Sequence, residues 1–132
     1  MEVLRPAEFW DIAVLLEFVG EYYAYDGIAF DAGRVRVGLE QLIADETLGR
    51  VWLIQQGGQG VGHAVLTYGF DLEFGGRVAT LTEVYIGEAH RGRGLGKAVF
   101  RELEHFALEQ GVFALELQVE SDNLEAGGST SA

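Results

Sequence analysis

Residues 91–101 hold four of the chain's nine basic groups, Arg91, Arg93, Lys97 and Arg101, and no acid. Three glycines, Gly92, Gly94 and Gly96, alternate with them. Beyond the glycines, Leu95, Val99, Leu103 and Phe106 recur at three- and four-residue steps, which predicts a helix over Gly94–Gln110 with Gly111 as its stop. A glycine-rich turn opening into a helix offers unpaired main-chain N–H groups, and the helix dipole adds partial positive charge there. Glycines remove the Cβ atoms that would hold a ligand away from the backbone. The chemistry this suits is the binding of an anion, with two or three linked phosphates as the natural occupant.

Two familiar phosphate patterns do not fit. From Gly87 the P-loop spacing reaches Gly92, but Arg93 and Gly94 follow where Lys and Ser or Thr are needed. Starting from Gly92, the dinucleotide pattern G-x-G-x-x-G ends on Lys97. A second chemical candidate is Glu83, an acid inside an apolar stretch just upstream, placed to take a proton or to pair with an arginine. His63 and Tyr85 read as core or cleft-wall residues. His90 and His105 lack metal-ligand spacing, so no metal is expected.

The elements that must position these groups follow from periodicity. Glu2–Arg5 is a short extended start ended by Pro6. From Ala7 onward Phe9, Ile12, Leu16, Val19 and Tyr23 predict one face of a helix, broken at Asp26 and Gly27. Val35, Leu39, Leu42 and Ile43 predict a second helix over Ala32–Ala44. Val51–Gln56, Val61–Phe70 and Arg77–Ile86 read as three consecutive antiparallel strands, the first two joined by a turn at 57–60. After the helix at 94–110, Phe113, Leu115, Leu117 and Val119 alternate with polar residues in a strand over Phe113–Glu120. Strand, helix, strand in that order implies a parallel crossover pair. The fold class is therefore α/β (α+β), a mixed sheet with an N-terminal antiparallel meander and a parallel strand–helix–strand unit.

Composition bounds the rest. The 132 residues make one domain, read as 1–126 with a frayed tail at 127–132. Nine Lys and Arg against 21 Asp and Glu leave a net charge of −12, which repels nucleic acid and anionic lipid and favours cationic partners. With no cysteine, disulfides and thiolate chemistry are excluded. No run of about 18 apolar residues spans a membrane. The acidic N-terminus does not read as a secretory signal, so a cytoplasmic protein is expected.

The segment Arg91–Gly96 resembles the pyrophosphate-binding signature of the GNAT acetyltransferase superfamily, Q/R-x-x-G-x-G/A, preceded by a strand of the family's type in Leu81–Ile86. The order of elements is similar over about Glu2–Ala126, and the resemblance implies helices on both faces of the sheet. The resemblance implies that acetyl-CoA lies in a V-shaped opening between the strands at 77–86 and 113–120. Main chain near Val84, Tyr85 and Ile86 would pair with the pantetheine arm. The amides of Arg91, Gly92, Arg93, Gly94, Leu95 and Gly96, with Lys97, would hold the pyrophosphate. Glu83 would be the catalytic base, and Asn123 would help hold the pantetheine or the following helix. The implied reaction moves acetyl to a primary amine of a small cationic, polyamine-like molecule or of a lysine side chain.

The resemblance weakens after Asp122, Asn123 and Ala126. Ser129 and Thr130 stand where the family usually has leucine and the tyrosine that protonates the departing thiolate. The family's final two strands have no counterpart. A truncated product, a homodimer that covers the exposed strand edge, and a shortened member with altered chemistry all fit this ending. A rival function is an acyl-CoA-binding or interaction module that has lost turnover.

Overall fold

The computed structural model describes residues 1–118, so Asn123, Ser129, Thr130 and the tail at 127–132 lie outside the described residues. Five strands form one sheet in sequence order: β1 (Leu4–Pro6), β2 (Gly49–Gln56), β3 (Gln59–Asp71), β4 (Gly76–Ile86) and β5 (Leu115–Leu117). The first four pair antiparallel, and β4 pairs with β5 in parallel. Helices α1 (Ile12–Asp26) and α2 (Ala32–Ala44) precede the meander, and α3 (Leu95–Glu109) makes the crossover.

Each face of the sheet buries its own apolar cluster. Leu95, Val99, Leu103 and Phe106 of α3 pack on Trp52, Ile54, Leu66, Leu81, Val84 and Ile86. On the other face Ile12 and Leu15 of α1 and Leu39 of α2 pack on Val51, Leu53 and Val65. Helices thus cover both faces, as the family resemblance implies.

Three details differ from the sequence reading. The chain enters α1 through a 3-10 turn at Phe9–Asp11, and Phe9 is exposed. The buried stripe of α1 is Ile12, Leu15, Val19 and Tyr22 rather than one containing Leu16 and Tyr23. Three- and four-residue steps admit either choice, and packing on the sheet selects between them. Strand β5 spans Leu115–Leu117 among the described residues, with Phe113 outside it, exposed, against Gly76, and positions 119 and 120 of the expected strand lie outside the described residues.

The feature that positions the site is a bulge in β4. Its register against β3 runs Val65↔Glu83 and then Leu66↔Leu81, leaving Thr82 as the extra residue. Ala79 and Leu81 face α3 before the bulge, and Val84 and Ile86 face α3 after it. Had Thr82 been an ordinary ladder residue, strict alternation would have put Glu83 on the face of Leu81, in that apolar cluster. With the bulge, Glu83 faces α1 and α2.

Candidate active site

Among the described residues β5 pairs with β4 at Ala79, Thr80 and Leu81. The Gln118 amide donates to the Leu81 carbonyl at 3.0 Å. Beyond Thr82 no described residue pairs with the far edge of β4. The Gly87 amide donates to Val61 of β3 at 2.8 Å. By the two-residue alternation of a strand, the main chain of Tyr85 also faces β3, and that of Val84 and Ile86 faces the far edge. Of these three residues, Val84 and Ile86 offer main-chain groups to that edge. Tyr85 contributes its ring and hydroxyl on the α1 side instead.

At the mouth of α3 the loop turns through Gly92 and Gly94, with φ of 78° and 79°. These left-handed values strain any residue with a Cβ. Nothing lies within 4 Å of where a Cβ would stand on either glycine. Helix α2 is capped by Asp31, whose carboxylate accepts from the Arg34 amide at 3.1 Å. In α3 the capping position is Gly94, which has no side chain to do this. Among the described residues no protein group accepts from the amides of Gly92, Arg93, Leu95, Gly96 or Lys97. Arg93 and Lys97 are exposed beside them. The donors a polyphosphate needs are therefore presented at a helix start.

Arg91 departs from its expected place. A 3-10 turn at Glu88–His90 closes on it, so its amide donates to the Glu88 carbonyl at 3.3 Å. Its side chain folds back toward β4. Nε donates to the Ile86 carbonyl at 2.7 Å, and the guanidinium lies over the rings of Tyr25 and Tyr85. The presented amides therefore begin at Gly92. Arg101 is exposed on α3.

Glu83 is half-buried and its two oxygens are held separately. The Tyr23 hydroxyl donates to Oε2 at 2.7 Å, and His63 Nε2 lies 2.8 Å from Oε1. A carboxylate oxygen only accepts, so Nε2 carries the hydrogen. His63 is fully buried, and its Nδ1 has no partner among the described residues, a setting for a lone pair rather than an N–H. Burial, then the bond to Glu83, raises the Tyr23 phenol well above its usual value. Burial and the 2.8 Å bond to Glu21 likewise push Tyr85 up to about 12. Both phenols stay protonated donors at neutral pH.

A cleft of about 430 Å³ opens above Glu83 between α1, α2 and the sheet, with Val19, Tyr23, Val35, Leu39 and Val65 among its walls. Neither Tyr23 nor His63 is singled out as a partner for Glu83 by the sequence. The signal available was a phase slip, apolar at 79 and 81 and then at 84 and 86, which marks a bulge and reassigns Glu83 to the face shared with α1. His90 is half-buried rather than on the surface, and no group of three or more metal-ligating side chains occurs among the described residues. No described helix is long and apolar enough to cross a membrane.

The fold is shared with solved structures. An integron cassette protein from the mobile metagenome of Cole Harbour Salt Marsh is 28% identical with a TM-score of 0.84, covering 99% of this chain and 92% of its own. A predicted acetyltransferase with acetyl-CoA from Clostridium acetobutylicum is 18% identical with a TM-score of 0.77, covering 91% of this chain and 82% of its own. The ribosomal-protein-alanine N-acetyltransferase of Brucella melitensis is 19% identical with a TM-score of 0.69, covering 89% of this chain and 80% of its own. No curated protein matches the sequence. The model of the acetyltransferase (GNAT) family matches residues 13–128, most of the chain. With a match that runs through β4, the glycine loop and α3, the chain belongs to the GNAT family of acetyltransferases.

Proposed function

We propose that the protein transfers acetyl from acetyl-CoA to a primary amine carried by a small cationic molecule or a lysine side chain. The observation that carries this reading is the conjunction of three features: the edge of β4 at Val84 and Ile86, unpaired among the described residues; the amides of Gly92, Arg93, Leu95, Gly96 and Lys97, which no described group accepts from; and Glu83 on the cleft side of the same strand. Acetyl-CoA supplies an activated thioester. The amides of Gly92, Arg93, Leu95 and Gly96, with Gly94 shaping the turn and Lys97 adding charge, would hold its diphosphate. The main chain of Val84 and Ile86 would pair with its pantetheine arm, the Ile86 carbonyl sharing its two lone pairs with Arg91.

The acceptor must reach the thioester as a neutral amine. Glu83 is the group that takes its proton, directly or through one water. Tyr23 and His63 hold the carboxylate from the sides by neutral donors, leaving lone pairs for an incoming ammonium. The acidic surface favours a cationic acceptor at the encounter stage. The outer edge of β5 has no strand partner among the described residues, and a second copy pairing there is the homodimer this reading includes.

Free-thiol release from acetyl-CoA, measured against a panel of primary amines, tests the reading. Amine-dependent release is expected. Retained acetyl-CoA binding with no release on any amine would leave a binding module instead. Gly94→Trp tests the cradle, because the side chain enters open space at the helix mouth. It should weaken CoA binding at least about tenfold. Gly94→Ala carries the same left-handed strain, about 1–2 kcal/mol, without the obstruction, and should bind nearly as the parent does.

A further inference from the structure

We infer that the acceptor is a free basic α-amino acid, acetylated on its side-chain amine. This rests on the acetyl-transfer reading above. The cleft has three chemically distinct zones. Glu83 lies at its half-buried floor. Val19, Val35, Leu39 and Val65 give the middle apolar walls, suited to a methylene stem. At the exposed start of α2, Asp31 and Arg34 line the same cleft, one of each sign.

Neither rim group is committed elsewhere. Among the described residues Asp31 and Arg34 enter no ion pair, and the contact between them is a main-chain cap, from the Arg34 amide to the Asp31 carboxylate. An acid and a guanidinium at one rim match an ammonium and a carboxylate on one carbon. A guanidinium is the preferred partner for a carboxylate because it presents paired donors. A diamine fills the floor and the stem but leaves Arg34 facing a second cation. A simple alkylamine leaves both rim groups unmatched. A lysine within a peptide chain has amides where the charged head should be. The zwitterion alone uses all three zones.

The step balances without a further reagent. The side-chain ammonium first loses a proton to Glu83 or water. Its nitrogen then forms the amide C–N bond as the thioester C–S bond breaks. The second N–H proton leaves, CoA departs as the thiol, and one proton is released overall.

The test compares L-lysine, 1,5-diaminopentane, pentylamine and a lysine blocked at both its α-amine and its carboxylate, by thiol release and by calorimetric titration onto the CoA-bound protein. L-lysine should show the highest kcat/KM and the tightest binding, by about tenfold over 1,5-diaminopentane, with acetyl found on the ε-nitrogen by mass spectrometry. Arg34→Gln should lower kcat/KM for L-lysine about tenfold and narrow its lead over the diamine. Asp31→Asn, which preserves the helix cap, should weaken L-lysine binding while the blocked lysine is affected less. Equal or better turnover of the diamine, pentylamine or blocked lysine overturns the inference and leaves acetyl transfer standing. Acetyl on the α-nitrogen overturns it as well. No release on any amine removes both readings.

Discussion

Asp11 and Glu83 are both shielded from water, and their surroundings differ in kind. Asp11 sits at the entry to α1, facing the Arg5 guanidinium through paired bonds of 2.9 and 3.1 Å and accepting the Glu8 amide at 2.7 Å. Glu83 sits on β4 with a phenol and an imidazole N–H as its donors and a cleft above it. Burial pushes the Asp11 carboxyl up, but the bonds from Arg5 and the Glu8 amide outweigh it and hold the group below its ordinary value. A carboxylate matched by a guanidinium has its charge answered inside the protein. One held by neutral donors keeps a demand for a cation, and an approaching ammonium can meet it. The first arrangement ties the N-terminal turn to the helix. The second is fit for chemistry.

The strongest way to break this contrast is to remove the charge of Glu83. Glu83→Gln keeps the shape and removes the base. Turnover should fall about 100-fold or more, with the melting temperature little changed, and an unaltered rate would remove Glu83 from the mechanism.

Tyr23→Phe sharpens the contrast with a smaller change. It removes one of the two donors to Glu83, which should cost about tenfold in kcat/KM. A rate equal to the parent's would make Tyr23 a packing residue only. The smallest effect belongs to the other site. Asp11→Asn should cost about 1 kcal/mol of stability, because Arg5 is partly exposed and water replaces much of the pairing, and acetyl transfer should be unaffected. The Asp11 carboxyl is depressed in the folded state, so its contribution is present above the unfolded value near about 4 and fades as pH falls through the folded value. Melting curves on the acid side should therefore fall less steeply in Asp11→Asn than in the parent.

Residues 32–44 and 94–110 show how much local pattern conveys. Their apolar spacing and flanking glycine or aspartate place α2 and α3 to within a residue, because helix periodicity and capping depend on neighbours in the chain. The glycine loop was legible for the same reason. Gly92 and Gly94 adopt left-handed conformations that glycine tolerates best, and Gly94 caps α3 with no side chain to seal it. Arg91 was only half legible. Its position in the loop follows from the signature, but its bond to the Ile86 carbonyl depends on a turn that brings it back over Tyr85.

What the amino-acid sequence determined by itself is the order of elements, the glycine-rich mouth of α3 and the surplus of acid, all set by near neighbours or by composition. Tertiary structure alone decided which face Glu83 occupies and which side chains meet it. Tyr23 is 60 residues from Glu83 along the chain and His63 is 20. Their meeting depends on a one-residue register shift and on how α1 settles against the sheet. Such choices are made by the packing of whole faces, where a single extra residue reverses every side chain that follows.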